Sequence, residues 1–240
     1  MNDPRYDMSD VAIAGPSAES RARFIMRTYG HLLGAIFSFV GLEIFLFKSG
    51  MAESIFVALM GVPWLVVLGA FMIIGWLASR VAHTVESLPA QYAALAVYVV
   101  IEAIIFVPML VFAEAQSMEM TGGSAGGVIG SAALVTAIGF TGLSGVVYVT
   151  RKDFSFLRGI LWWAFVVSVL AIVGGALFGF QLGTFFSVAM IALAGGAVLY
   201  DTSNILHHYP EDRYVGASLE LFASIALMFW YVLRLFLSRD

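Results

Sequence analysis

The sequence predicts an all-α membrane protein with seven transmembrane helices. Hydrophobic residues make up 61% of the 240 residues and charged residues 12%, whereas a soluble domain carries roughly 25% charged residues. The hydrophobic residues fall into seven apolar segments, and a helix of about 20 apolar residues is long enough to cross a bilayer. These observations exclude a soluble protein.

Each apolar segment is assigned to one helix. The segments span 32–47, 62–78, 92–113, 128–149, 159–180, 182–206 and 217–237. The first two are slightly shorter than a bilayer requires and are expected to extend into their flanks. Only Gly179, Gln181, Gly183 and Thr184 interrupt the fifth and sixth segments, so the count falls to six if no turn forms there.

The residues before the first segment are polar. Residues 1–27 are predicted to form a cytoplasmic tail, with a short interfacial helix after the break at residues 15–17, and residues 28–240 to form the transmembrane domain. A secretory signal has a compact basic region followed at once by an apolar core. Here residues 1–31 precede the first apolar segment, so the tail is interpreted as uncleaved.

The distribution of Lys and Arg predicts the orientation. With the N-terminus inside, the inner segments hold nine of the 12 basic residues, namely Arg5, Arg21, Arg23, Arg27, Arg80, Arg151, Lys152, Arg158 and Arg213. The outer segments hold Lys48, Arg234 and Arg239. This excess follows the positive-inside rule and places the C-terminus outside. The glycine-rich stretch 115–127 has no basic residue and is expected to be a flexible outer connection.

Charge and cysteine content exclude several further classes. The basic residues are dispersed along the chain, which indicates no nucleic-acid partner. Cysteine is absent, so disulfides, thiolate metal sites and cysteine nucleophiles are excluded. Within the apolar segments, the charges away from the ends are all acidic: Glu43, Glu102, Asp201 and Glu220.

An ionised carboxylate in an apolar segment costs several kcal/mol unless it is paired, protonated or hydrated. These four acids are therefore candidate functional residues. Glu43 lies five residues before Lys48, and a structural role is favoured for it. Its carboxyl group is then protonated, hydrogen-bonded inside the bundle, or close enough to the end of the segment to reach water. Glu102 lies in the middle of its segment, and both a structural and a functional role stay open.

Four polar residues are predicted to converge at the inner leaflet. At a rise of about 1.5 Å per residue, Asp201 lies roughly 7 to 8 Å from the inner end of its helix, and Glu220 and Ser224 about 5 and 10 Å from the same face. Arg80 ends the second segment at that face. An arginine beside two carboxylates is the natural counter-ion, so we expect Arg80 to pair with Asp201 in a closed state.

The matches of this sequence to enzyme motifs are weak. Residues 142–145 read GLSG, which matches the GxSG of rhomboid proteases, and His207 is predicted to lie at the same leaflet as Ser144. Gly and Ser on a membrane helix more often permit close packing, and HExxH and a phosphate-binding glycine loop are both absent from the sequence. We therefore expect no catalytic activity. The aromatic residues at 162–163 and 229–231 are expected to face lipid or its interface.

Two motifs carry a resemblance to a known family. Residues 150–157 read TRKDFSFL and residues 201–205 read DTSNI. The first resembles the TRKDxSFL signature after the fourth span of bacterial Bax inhibitor-1 proteins, and the second the [DE]TxxI of their sixth span. The similarity covers residues 20 to 238 and is greatest to the YccA-like branch of the family.

The resemblance implies a seven-helix fold with the last helix central, in the inner membrane of a bacterium. In calcium-leak members, two aspartates of the last two helices share a proton and an arginine ending the second helix latches onto them. Carried over by position, the first aspartate is Asp201 and the latch is Arg80. The second aspartate falls on Ser224 here, and Glu220, one turn earlier, substitutes for it only if its longer side chain reaches Asp201.

Two functions follow from the resemblance. One is modulation of the membrane protease FtsH and of membrane-protein quality control, as in the YccA-like branch, with residues 1–27 as a handle for the protease. The other is a pH-sensitive cation leak, with calcium as the permeant ion, Asp201 as its contact, and Glu102, Glu220 and Ser224 in the pH-sensing site. Neither function requires a resident cofactor, and the lipid bilayer is the partner common to both.

Overall fold

The structure is a computed structural model, and it describes residues 18–85, 87–121 and 126–238 of the chain. This described part consists of α-helices and loops and contains no β-strand. The helices are α1 (Ala18–Lys48), α2 (Met51–Met60), α3 (Trp64–Thr84), α4 (Leu88–Thr121), α5 (Gly126–Thr150), α6 (Leu157–Phe178), α7 (Thr184–His207) and α8 (Tyr214–Leu237). We call the end of the bundle at which α1 begins the N-face.

Seven of these helices, all except α2, are long and apolar enough to cross a membrane. The predicted fold class and the count of seven spans are therefore confirmed. The uncertain turn between the fifth and sixth segments is present, because α6 ends at Phe178 and α7 begins at Thr184. Gly179 takes a left-handed φ of 75° in this turn, a conformation that glycine adopts without steric cost.

The ends of two helices differ from the prediction. α1 begins at Ala18, so residues 18–27 continue the first transmembrane helix where a tail with a separate interfacial helix was predicted. No Gly or Pro interrupts this stretch, which lets the helix extend beyond its apolar part. Residues 1–17 of the predicted tail lie outside the described residues. α4 runs to Thr121, so the first part of the predicted connection 115–127 is helical.

The short helix α2 was not predicted. Its ten residues are too few to cross a bilayer and gave no separate apolar segment. Gly50, with a φ of 76°, turns the chain between α1 and α2. Ala52 then packs against Leu46 of α1 and Val107 of α4, which places α2 at the end of the bundle opposite the N-face.

α8 lies centrally, as the resemblance implied. It packs against α1, α3, α4, α5 and α7, and its first two turns are buried almost throughout. α6 is the opposite case, because it packs mainly on α7 and none of its residues is buried. The contact between α7 and α8 buries the polar residues Asp201 and Ser224.

The prediction for the aromatic residues was right for α6 and wrong for α8. The tryptophans at 162–163 are exposed to the extent of 68% and 70%, as expected for side chains that face lipid. Phe229 and Trp230 instead contact Phe106 of α4, and Tyr231 is buried. The reason is the central position of α8, whose faces nearly all meet other helices.

The first prediction concerns the close approach of α8 to α3. A Cβ atom at Gly216 would lie 2.9 Å from the carbonyl oxygen of Ala82, and backbone cannot move aside cheaply. Gly216→Ala should therefore destabilise the protein by about 1–3 kcal/mol, the usual cost of overpacking. Thermal or denaturant unfolding in micelles measures this change.

Gly142→Ala is the matched control, because a Cβ atom at Gly142 of α5 meets nothing within 4 Å. This variant should be neutral or slightly stabilised by the higher helix propensity of Ala. Equal stability of the two variants would contradict the close packing of α8 on α3.

Candidate functional site

A cavity of about 1470 Å³ lies between α3, α4, α6, α7 and α8. Its wall is mainly apolar and aromatic, and four of the predicted site residues line it: Glu102, Asp201, Glu220 and Ser224. Three different helices supply them. The structure thus brings together the acids that the sequence analysis selected at α4, α7 and α8.

Asp201 is buried and its carboxylate is held by α8. Ser224 donates a hydrogen bond of 2.6 Å from its Oγ to Oδ2 of Asp201, and both residues are only 7% exposed. A buried carboxylate is costly without such a donor. The serine at the position of the expected second aspartate therefore binds the first one.

Glu220 lies one turn before Ser224 on α8 and meets the turn between α7 and α8. The hydroxyl of Tyr209 donates a hydrogen bond of 2.5 Å to Oε2 of Glu220. Burial, and then the charge of Glu220, raises the pKa of Tyr209 well above its usual value, so the hydroxyl stays protonated and remains a donor. Glu220 also acts electrostatically on Asp201.

The residues after Asp201 connect α7 to two other parts of the bundle. Thr202 forms a hydrogen bond of 3.3 Å with Ser144 of α5. Ser203 accepts a hydrogen bond of 2.9 Å from the backbone N–H of Phe154. The two motifs that carried the family resemblance, 150–157 and 201–205, are therefore in direct contact.

Asp153 is the charged centre of the contact between these motifs. Its Oδ1 accepts a hydrogen bond from the backbone N–H of Ser155 at 2.8 Å, and its Oδ2 lies 2.9 Å from Nε2 of His208. The Ser155 N–H first, and His208 next, lower the pKa of Asp153 from its ordinary 3.8 to about 2. An ionised Asp153 therefore ties the loop between α5 and α6 to the end of α7.

Arg80 and Asp201 are not brought together. The guanidinium of Arg80 lies over the ring of Trp76, 5.2 Å from its centroid, an arrangement that the i, i+4 spacing on α3 favours. Arg80 is exposed, and within the described residues it forms no ion pair with Asp201. The expected closed-state pair is absent from this arrangement of the helices.

Glu102 and Glu43 have different surroundings. Glu102 is buried, lines the cavity and interacts with Tyr98 one turn earlier on α4. Glu43 is 7% exposed, and neither of its carboxyl oxygens has a hydrogen-bond partner within the described part of the chain. A carboxyl group in such a place is stable only when protonated. The structural role that was favoured for Glu43 stays a prediction.

Ser144 of the GLSG sequence at 142–145 joins α5 to α7. Ser144 meets Thr202, and Nδ1 of His207 meets the backbone carbonyl of Ser203. A serine–histidine pair is thus not formed by these residues. Among the described residues, no group of three or more His, Asp or Glu side chains is arranged to hold a metal ion, and a calcium contact at Asp201 stays a prediction.

Sequence reasoning missed the residues that support the site from the loops. Asp153 lies in a motif that was recognised, but its partner His208 is 55 residues away. Tyr209 had no signal in the sequence, because its contact with Glu220 depends on the turn between α7 and α8 folding back over α8. Hydrogen bonds of this kind follow from tertiary structure and leave no periodic pattern.

Comparison with known proteins identifies relatives. A family model described as "Inhibitor of apoptosis-promoting Bax1" matches residues 21–240. An uncharacterized protein of Pseudomonas aeruginosa is 38% identical over 114 residues, which cover 46% of this chain and 50% of that protein. The Escherichia coli K12 protein named "Modulator of FtsH protease YccA" is 36% identical over 118 residues, 48% of this chain and 53% of that protein. The matched part spans about half the length of these curated relatives.

The second prediction concerns the contact between the two motifs. A carboxylate whose pKa is lowered on folding stabilises the folded state above its unfolded pKa, and this contribution is lost as the pH falls through the folded pKa. Wild type should therefore unfold at a higher temperature than Asp153→Asn at pH 6, where Asp153 is ionised. The difference should shrink from about pH 4 downward and vanish below pH 2.

Asp212→Asn is the control, because Asp212 lies at the same face, is 70% exposed and pairs with the neighbouring Arg213. Thermal unfolding in micelles across this pH range should show little change for this variant, since exposed ion pairs contribute little. A difference between wild type and Asp153→Asn that does not depend on pH would contradict the role of the Asp153 charge.

Proposed function

We propose that this chain, which belongs to the Bax inhibitor-1 family, is an inner-membrane protein that modulates a membrane protease of the FtsH type. The observation that carries the proposal is the match to the relative named a modulator of FtsH protease, at 36% identity. A related protein of Escherichia coli is named an inner membrane protein. Modulation of this kind requires binding to the protease and no catalysis by this chain.

The surroundings of Asp201 agree better with a structural centre, meaning a buried carboxylate that holds helices together, than with two aspartates that share a proton. Asp201 is bonded to the hydroxyl of Ser224, which offers a neutral donor where an acid would share a proton. Thr202 and Ser203 fasten the same turn of α7 to α5 and to the loop after it. A rigid bundle of this kind is suited to present residues 1–17 to a partner from the N-face.

We further propose the orientation that the basic residues predict. The N-terminus and the N-face lie in the cytoplasm, and the C-terminus in the periplasm. The residues before Ala18 are then on the side from which a cytoplasmic protease domain is reached. Binding is expected to use these residues as the handle.

The third prediction tests the protease partner. Deletion of residues 2–17 should abolish co-purification with FtsH from detergent-solubilised membranes, because the handle is removed. The same deletion should leave membrane insertion and unfolding temperature unchanged, since α1 begins only at Ala18. Degradation of a membrane substrate by purified FtsH should be slowed by the full chain and not by the shortened one.

Co-purification that is equally strong with and without residues 2–17 would contradict the handle. Failure of the full chain to bind FtsH or slow its activity would contradict the proposed function itself. A chain with residues 2–17 replaced by a Gly/Ser segment of equal length controls for the spacing between α1 and any tag.

A cation leak is the second candidate, and one observation favours it. Glu102, Asp201 and Glu220 line a single large cavity within the membrane-spanning part of the bundle, and intramembrane acids of this kind often mark ion paths. Two observations count against a cation leak, namely the hydrogen bond from Ser224 to Asp201 and the position of Arg80 over Trp76.

The fourth prediction tests the second candidate. If reconstituted protein leaks calcium, Asp201→Asn should remove most of the pH dependence of the leak, because Asp201 is the more deeply buried acid and Asn keeps its shape. Glu220→Gln should shift the dependence only modestly. Calcium flux into proteoliposomes measures this, and an unchanged pH profile in Asp201→Asn would exclude a carboxylate switch at this residue.

A further inference from the structure

The start of α1 holds the turn between α7 and α8. Nη1 of Arg21 donates hydrogen bonds to the backbone carbonyls of Tyr209, at 2.7 Å, and of Ile205, at 3.4 Å. One helical turn later, the ring of Phe24 stacks on the ring of Tyr209, with 6.3 Å between the centroids. Ser20 adds a hydrogen bond of 2.9 Å to Glu211. These contacts join residues that are nearly 190 positions apart in the sequence.

Tyr209 connects these contacts of α1 to the cavity. Its backbone carbonyl is bound by Arg21, its ring is stacked on Phe24, and its hydroxyl donates to Glu220. Tyr209 and Phe24 are buried, at 9% and 2% exposure, so the ring has little freedom to turn. The position of the Glu220 carboxylate therefore depends on Tyr209, which α1 holds in place.

We propose that Arg21 and Tyr209 are positioning residues, through which the start of α1 controls the access of water and solutes to the Glu220 side of the cavity. A charge-assisted bond to a carbonyl and a ring stack are each strong enough to bias a local opening. Displacement of Arg21 frees the turn, and Tyr209 then no longer anchors Glu220. The inference goes beyond the proposed function, because it concerns coupling inside the chain and requires no partner.

The contacts with the turn are made from one side of α1. Arg23 lies two residues after Arg21, but its side chain is 62% exposed and pairs only weakly with Glu19, at 4.0 Å. Arg21 instead points into the turn and also lies over the ring of Phe24, 5.4 Å from its centroid. Two arginines of the same helical turn thus differ in their contact with the site, which provides a matched control.

The fifth prediction uses the absence of cysteine from the chain. Ala223 lines the cavity between Glu220 and Ser224, so Ala223→Cys provides a single thiol whose reaction with a small maleimide reports the opening of this part. In that background, Arg21→Ala and Tyr209→Phe should each speed the reaction roughly two- to tenfold, as the loss of one hydrogen bond predicts. Arg23→Ala should leave the rate unchanged.

Three further measurements separate positioning from general loosening. The double variant Arg21→Ala/Tyr209→Phe should react no faster than the faster single variant, since both act through one path. Arg21→Lys should restore the slow rate, because its ammonium group also donates to a carbonyl. A thiol placed by Ala176→Cys on α6, in the same cavity but away from Glu220, should keep its rate in every background.

Each other outcome overturns the proposal. Unchanged rates in Arg21→Ala, an acceleration by Tyr209→Phe alone, or equal acceleration by Arg23→Ala would remove the link from α1. Multiplying effects in the double variant, or a faster reaction of the thiol from Ala176→Cys, would indicate separate or global effects. None of these results depends on FtsH, so failure here is distinguishable from failure of the proposed function.

Discussion

The fold depends on one constraint, the need to satisfy a carboxylate buried among helices. Asp201 lies where ionised groups are costly, and α8 meets that need with Ser224 directly opposite. The contact requires α7 and α8 to lie side by side in a fixed register, which the short turn at residues 208–213 permits. Thr202 and Ser203 then extend the same register to α5 and to the loop after it. α8 is central because α1, α3, α4, α5 and α7 all pack against it.

Sequence reasoning predicted the parts of the structure that follow from local composition. Apolar segments gave the seven spans, because the bilayer requires a length that can be counted. The turn after α6 was found because glycine marks it. The continuity of residues 18–27 with the first transmembrane helix was missed, because this polar stretch belongs to no apolar segment. The burial of Tyr231 was missed because it is set by neighbouring helices. Arg80 is a different case, because its stacking on Trp76 follows from the i, i+4 spacing on α3 and was overlooked in favour of the ion pair with Asp201.

The same distinction between local and tertiary features applies to the functional residues. Acids in apolar segments stand out in a sequence, and three of them do line one cavity. Their supporting partners, Tyr209 and Asp153 above all, lie in loops and are recognised only when distant parts of the chain are brought together. The supporting shell is also what distinguishes a structural centre from a proton switch. Here Ser224 and Tyr209 supply neutral donors to Asp201 and Glu220, which is the arrangement expected of a structural centre.

A double-mutant cycle between Asp201 and Ser224 tests this account most directly. The free energy of unfolding in micelles is measured for wild type, Asp201→Ala, Ser224→Ala and the double variant. If Ser224 satisfies the buried carboxylate, Ser224→Ala costs more when Asp201 is present than when it is absent, with a coupling energy of at least about 1 kcal/mol. Additive effects within about 0.5 kcal/mol would show that the two residues stabilise the bundle independently, and would contradict the central role of this contact.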